Sequence, residues 1–294
     1  MDSIPRTEPE LAAARVLVAG QSEPDGWVSM GSAGVLPSPI ELKMAGAQID
    51  REIDPEQLEQ VCRWTDRIRQ LGSQDLPIKI LLATDPRYPL NLAGIDGKPA
   101  LLFVQGDLLR DDKRAVAIVG SRRAASDARG AAHRLAADLS HLGYTIVSGL
   151  ARGIDTAAHR GALNAGGRTL AVVGTGIDQV FPPENRELAA EIARRGAIIS
   201  QFPPGHRPSK TSFPARNAVI AGLSLGSLVI DAEERSGTRS EINHALGQGR
   251  PVFLWAPLAG RRDWGQHLAQ LRGVHMVDSA AQIEGILNRT QNHQ

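Results

Sequence analysis

Two short runs near the middle of the chain carry the residue types that receive phosphate. The first is Val116-Ala117-Ile118-Val119-Gly120-Ser121-Arg122, and the second is Ile146-Val147-Ser148-Gly149-Leu150-Ala151-Arg152-Gly153-Ile154-Asp155. Each is an apolar stretch of the kind that a parallel sheet buries on both faces, and each ends in Gly, Ser and Arg before a helical pattern begins. Glycine lets a backbone approach a ligand closely, a helix N-terminus offers unpaired N–H groups, and a guanidinium presents a planar fork that matches phosphate oxygens. Gly120, Ser121 and Arg122, with Arg123 beside them, are therefore candidate phosphate contacts. So are Ser148, Gly149, Ala151, Arg152 and Gly153. Asp155 could accept N–H bonds at its helix start, orient Arg152 or His159, or be an ordinary first-turn acid. His159 has no metal-ligand partners at a recognisable spacing and reads as a hydrogen-bonded structural or pocket-wall histidine rather than a catalyst.

Further along, Gly174-Thr175-Gly176 is a third glycine turn of the strand-end type, either a tight turn alone or one that keeps the sheet edge open to a ligand, and its three residues join the candidate phosphate contacts. The loop from Pro203 to Ser212 is punctuated by proline and carries His206, Arg207 and Lys210. Arg216 and Asn217 follow Phe213-Pro214 at a helix start, from which both side chains are expected to reach the same mouth. Ser236, Gly237 and Thr238 precede Glu241 at another helix start. We take Lys210, Arg216, Asn217, Ser236, Gly237 and Thr238 into the candidate phosphate-binding set. If Arg122, Arg152, Lys210 and Arg216 each engage a phosphate of a single strand, the logarithmic salt slope is roughly −3 per subunit, at about −0.7 per phosphate. A site that small asks for two subunits side by side on one strand. Aromatic residues make up only 4% of the chain, so Phe181, Phe202 and Phe213 are the few available to stack bases near the site.

The elements that must position these residues follow a regular alternation. Strands are expected at Val116–Val119, Thr145–Val147, Thr169–Val173, Ala197–Ser200, Ser227–Ile230, Pro251–Trp255 and Val274–Val277, after two earlier ones at Ile78–Leu82 and Leu101–Val104. Helical periodicity lies between them, over Ala128–Leu142, Asn185–Arg194, Ala215–Leu223, Glu241–Leu246 and Ala280–Leu287. Alternating strands and helices imply a doubly wound, mostly parallel α/β sheet of extended Rossmann-like type, whose ligands sit off the carboxyl ends of the strands. That domain is expected to span residues 76–294. Residues 1–75 read as a small, mainly helical, loop-rich appendage, with Leu58, Val61, Cys62, Thr65, Ile68 and Leu71 at helical spacing.

Composition narrows the classes. The 294 residues contain 42% hydrophobic and 22% charged residues, ordinary for a folded chain, and the net charge is +1, so any basic surface must be local. Cys62 is alone, which excludes an intrachain disulfide and a cysteine-based zinc site. No membrane span and no signal pattern is expected, and the cytoplasm is the expected compartment. We expect no metal and no cofactor.

Taken together, these motifs resemble the DprA/Smf family. Gly120-Ser121-Arg122, the run from Ser148 to Asp155 with His159, Gly174-Thr175-Gly176 and Phe181-Pro182-Pro183-Glu184-Asn185 stand in the family's order. Phe213-Pro214-Ala215-Arg216-Asn217, Ile220-Ala221-Gly222-Leu223-Ser224 and Ser236-Gly237 follow in the same order, after a lead-in at Tyr88-Pro89 and Leu102-Phe103-Val104-Gln105-Gly106-Asp107. The resemblance covers roughly residues 78 to 257. It implies an extended Rossmann-type fold, binding of single-stranded DNA without catalysis, a homodimer, and a RecA-type recombinase as partner during natural transformation. The chain departs from the pattern at Gln201 and Ala218, where the family has Glu and Arg, and in the segment Thr238-Arg239-Ser240-Glu241-Ile242. It is also expected to be a member without a C-terminal winged helix, and residues 1–75 do not match the usual N-terminal module. Separately, Gly237-Thr238-Arg239-Ser240-Glu241 resembles the Gly-Thr-x-x-Glu signature of LOG proteins. That resemblance implies an alternative: a nucleotide sensor, or a nucleotide N-glycosidase with Glu241 as its carboxylate at an oxocarbenium-like centre.

Overall fold

The apolar runs become strands whose side chains alternate between two buried faces. The structure, a computed structural model, describes residues 76–83, 85–232, 237–260 and 263–291, together with Arg63, residues 66–68 and Gln70. In chain order the elements are β1 (Ile78–Leu82), α1 (Leu90–Ala93), β2 (Leu101–Gly106), β3 (Ala115–Val119), α2 (Ser126–His141), β4 (Thr145–Ser148), α3 (Ile154–Asn164), β5 (Thr169–Val172) and α4 (Arg186–Arg195). Then come β6 (Ala197–Ser200), α5 (Ser212–Leu223), β7 (Ser227–Val229), α6 (Thr238–Gly247), β8 (Val252–Trp255), α7 (Ala256–Ala259), α8 (Asp263–Leu268), β9 (Val274–Val277) and α9 (Ala280–Gln291). The nine strands form one sheet in the order β1-β2-β6-β5-β4-β3-β7-β8-β9.

From β6 to β9 every neighbouring pair is parallel, as the alternation predicts. At the other edge β1 pairs antiparallel with β2, and β2 antiparallel with β6. The connection over residues 107–114 is too short to hold a crossover helix, so β3 enters the sheet running opposite to β2. Asp112 fastens that connection at the amino end of the sheet: Arg168 Nε donates to its Oδ1 at 2.6 Å and Arg168 Nη2 to its Oδ2 at 3.0 Å, while Thr145 Oγ1 donates to Oδ1 at 3.0 Å. The chain order reverses between β3 and β7, which makes their carboxyl ends the switch point of the sheet.

Ala115, Ala117 and Val119 of β3 point into a core shared with α5 and α6, which also takes Val147, Leu170, Val172, Val229 and Leu254. Val116 and Ile118 point the other way, onto Leu135, Leu139, Ile154 and Ala158 of α2 and α3. A third cluster joins α4 to β2, β5 and β6, and Ile68 is buried in it. The expected appendage otherwise lies outside the described residues, as does the division at residue 75; those described between 63 and 70 are helical, and Arg67 Nε meets Asp178 Oδ2 at 2.6 Å. Helix α5 starts three residues before the expected Ala215, because Pro214 falls in a first turn whose N–H groups need no helical partner. Its entry is held by Ser209 and Ser212, each accepting on its hydroxyl from the other's N–H, at 2.9 and 3.0 Å. Among the described residues no helix is long and apolar enough to cross a membrane.

Helices α2 and α3 lie closest where Gly161 faces the backbone of His133, so that a Cβ on residue 161 would run into the His133 carbonyl. Gly161→Ala must push the two helices apart and should cost about 1–3 kcal/mol. Denaturant unfolding checks this: the midpoint should fall with the slope unchanged, and an unaltered midpoint would refute the close packing.

Candidate functional site

At the switch point the carboxyl ends of β3, β4 and β7 open onto a cavity of about 320 Å³. Its lining comes from the loop after β3 (Gly120 to Arg123), from Ala151 and Asp155, from Phe213, Arg216 and Asn217 of α5, and from Gly237, Thr238 and Glu241 around the start of α6. Of the candidate residues, Gly120, Ser121, Arg122, Ala151, Arg216, Asn217, Gly237 and Thr238 line this one cavity, while Gly174, Thr175, Gly176, Arg152 and Lys210 do not.

Arg216 lies at the bottom rather than at the rim. It is 5% exposed, and its Nη1 donates to the carbonyls of Gly149 at 2.5 Å and Val172 at 2.7 Å, while Nε donates to Asn217 Oδ1 at 3.1 Å. Gly149 is glycine because its missing Cβ is where that guanidinium lies. Asn217 in turn donates from Nδ2 to the Gly237 carbonyl at 3.1 Å, tying α5 to the start of α6. Phe213 covers the arginine: the Arg216 guanidinium stands 5.9 Å from its ring centroid, and the Arg122 guanidinium 4.8 Å from it. The ring sits against Gly174, where a Cβ would approach it to 2.9 Å. Phe181, 45% exposed, lies beside it at a centroid distance of 6.4 Å. Phe202 is buried and stacks on His206 at 4.5 Å, so it is not available to a ligand.

The loop after β4 is organised differently from expectation. The Gly149 and Ala151 N–H groups both donate to Asp155 Oδ2, at 3.1 and 3.3 Å, so the loop's amides are taken by its own carboxylate. Of the three roles open to Asp155, accepting N–H bonds is the one it fills. Burial pushes its carboxyl up, and the Arg216 charge and the two amides pull it back down. Ser148 is fully buried and turned away from the cavity, donating to the Ile118 carbonyl at 2.6 Å. Gly153 has φ of +77° and rests on the Ser121 carbonyl, which joins the two loops. Leu150, with φ of +57°, is a left-handed position that no glycine marks in the sequence.

The remaining candidates divide. Gly120 serves packing, since a Cβ there would meet the Asp231 carbonyl and Ile154 Cγ1 at 2.7 Å. Ser121 accepts on Oγ from the Arg123 N–H at 3.1 Å. Arg152 is exposed and lies along Glu184, with Nη2 donating to Oε2 at 2.8 Å. Thr175 gives its hydroxyl to the Gln179 carbonyl at 2.7 Å, and Gly176 lets the 203–206 turn approach closely. Lys210 is exposed and stands outside the cavity lining. Ser236 lies outside the described residues. Among the described residues no group of three or more His, Cys, Asp or Glu is placed to hold a metal ion.

Two buried titratable groups complete the site. Thr169 Oγ1 donates to the Ile146 carbonyl at 2.8 Å, so His159 Nδ1, 2.7 Å from that hydroxyl, must carry the proton between them. Burial, with Arg216 adding to it, pulls this imidazole down to about 3, and it is neutral and structural. Glu241 is 1% exposed. Its Oε1 accepts from Ser227 Oγ at 3.0 Å, and its Oε2 has no hydrogen-bond partner among the described residues. Burial pushes the carboxyl up to about 8, so it is mostly protonated at neutral pH.

This state has a measurable sign. An unfolded glutamate loses its proton near 4.5 and the folded one near 8, so stability falls as pH rises between them. Glu241→Gln removes that loss. The melting temperature of the variant minus that of the parent should grow by roughly 5–10 °C from pH 4 to pH 8 and then level off. A difference that stays flat across this range would contradict a buried neutral carboxyl.

Comparison with known proteins points one way. A family model described as DNA recombination-mediator protein A matches residues 79–284. The chain is 41% identical over 203 residues to the DNA processing protein DprA of Streptococcus pneumoniae, covering 68% of this chain and 71% of that one. It is 34% identical over 244 residues to DprA of Bacillus subtilis, covering 80% of each. The X-ray structure of Streptococcus pneumoniae DprA superposes with a TM-score of 0.66 at 32% identity, covering 94% of this chain and 92% of that one. DNA processing protein A of Helicobacter pylori, whose structure was described for its single-stranded DNA binding mode, superposes with a TM-score of 0.63 at 25% identity, covering 74% of this chain and 98% of that one.

Proposed function

The chain belongs to the DNA recombination-mediator protein A family and is a DNA-processing protein; from this premise we propose that its switch-point cavity binds single-stranded DNA and performs no chemical step on it. One observation carries the reading: a guanidinium and two aromatic faces stand together at one mouth. Arg122 lies over Phe213, and the exposed Phe181 lies beside them. A single strand presents alternating phosphate and π-face, and this is the pair of groups that answers it. Arg122 and Arg123 take phosphate, Phe213 and Phe181 take bases, and Arg152 and Lys210 flank the entrance. Arg216 does not reach the strand. It keeps the floor in shape, and its place among the direct phosphate contacts is withdrawn.

With Arg216 removed from the count, one cavity neutralises about two or three phosphates and has a salt slope of roughly −1.4 to −2. Such a site is weak alone, and two copies on one strand raise the effective concentration of the second binding event. A homodimer, a RecA-type partner and a cytoplasmic location join the proposal through family membership.

Titration of labelled oligo-dT at several salt concentrations tests the reading. Arg122→Ala should lower the magnitude of the slope by about 0.7. Phe181→Ala should weaken binding by about 1–3 kcal/mol with little change in slope. Failure of the parent chain to bind oligo-dT at low salt ends the proposal.

A second reading is favoured by one atom, the unpartnered Oε2 of Glu241 in a cavity large enough for a small ligand. Under it the occupant is a free nucleotide, sensed or cleaved. A protonated Glu241 suits a proton donor to a leaving base better than a carboxylate beside an oxocarbenium-like centre. Release of free base from a nucleoside monophosphate, abolished by Glu241→Ala, is the outcome expected of cleavage. Thermal stabilisation without turnover is expected of a sensor, and neither effect across a panel of mononucleotides removes this reading.

A further inference from the structure

We propose that a second groove, between α2 and α3, receives the phosphate backbone of the bound strand where it leaves the cavity, so that the DNA contact continues across the helical face of the domain. The proposal rests on the single-stranded DNA reading above. The groove encloses about 650 Å³, and its charged walls are Arg129 of α2, Arg160 of α3, and Arg122 and Arg152 of the two strand-end loops. Against these four guanidinium groups it holds one carboxylate, Glu184, which lies along Arg152. Among the described residues no carboxylate lies within ion-pair distance of Arg122, Arg129 or Arg160. The charge is thus local and uncompensated in a chain whose net charge is only +1.

Packing explains why these cations stand together. The glycine contact at Gly161 draws α2 and α3 close, which brings Arg129 and Arg160 to the two sides of one trough. Arg129 donates from Nη1 to the Ala124 carbonyl at 2.8 Å, which holds its planar fork at the groove wall rather than leaving it to sweep through solvent. An ordered guanidinium loses less entropy on meeting a phosphate than a mobile one.

Continuity supplies the partner. Arg122 lines the cavity, the groove, and the small pocket of about 100 Å³ between them, and that pocket is also walled by Phe181, Phe213 and Arg152. A strand stacked on the two phenylalanines therefore has its next phosphates directed past Arg122 and Arg152 toward Arg129 and Arg160. The groove holds four arginines and, apart from the half-buried imidazole of His133, no aromatic ring, which suits backbone more than bases.

The test uses the full chain with labelled dT3, which fits the cavity alone, and dT15, which reaches the groove. Arg129→Ala with Arg160→Ala should lower the magnitude of the dT15 salt slope by about 1.4 and weaken dT15 at low salt several-fold, while dT3 binding stays at the parent value. Glu184→Gln, which frees Arg152 where cavity and groove meet, should tighten dT15 more than dT3. An unchanged dT15 slope in the double variant overturns the groove, and so does equal weakening of both lengths, which would signal a general field effect. If the parent binds dT3 and dT15 with the same affinity and slope, the groove fails and the cavity stands. If it binds neither, both fail.

Discussion

One buried guanidinium fixes the carboxyl end of the sheet. Arg216 bridges the Gly149 carbonyl just past β4 and the last carbonyl of β5, lies against the ring of Phe213, and stands near Asp155 and Glu241. Bringing a cation into that position costs several kcal/mol unless its donors are met. Here Nη1 is met by two backbone carbonyls, whose positions are set by the sheet itself, and Nε by the Asn217 side-chain oxygen. The loop after β4, the helix start that carries Phe213 and the floor of the cavity are all built around this group. Burial pulls its own pKa down and the charge of Asp155 opposes that, while Glu241 keeps its proton through its own burial and against the pull of the Arg216 charge. The chemistry at the mouth depends on a residue that the mouth does not expose.

Much of this was legible in the chain. The strands were readable because both faces of a parallel sheet are buried, and Val274–Val277 matches its expected bounds. The meeting of the loop after β3, α5 and the start of α6 at one cavity follows from the doubly wound order. Individual side chains were less legible, because type and spacing do not specify direction. Ser148 and Ser121 follow similar apolar runs, yet one turns inward to Ile118 and the other stays at the cavity. Arg216 and Arg122 are the same residue type near the same mouth, one buried and one exposed. The antiparallel edge of β1 and β2 was also unspecified, since pairing depends on the length of the 107–114 connection. The arginine groove was invisible for a further reason. Arg129 and Arg160 are far apart in sequence, and only the approach of two helices at Gly161 makes them neighbours.

The positive charge of this face is a matter of arrangement rather than quantity. A net charge of +1 gives no broad basic field, yet Arg122, Arg123, Arg129, Arg152 and Arg160 fall within one connected surface. Arg122 is the shared member of every part of it. The single exposed guanidinium stacked on Phe213 thus belongs to an aromatic site and an electrostatic one at the same time.

The carboxylate of Asp155 gives the loop after β4 a resident anion. It already occupies the amides of Gly149 and Ala151, which a bare strand-to-helix turn would offer to whatever phosphate is dissolved around it. The turn is therefore complete before any ligand arrives. A phosphate entering this turn would have to displace the Asp155 carboxylate to reach the amides of Gly149 and Ala151. On the proposed single-strand reading, discrimination passes to the side chains, which answer the order of charges and rings along a polymer rather than a single anion.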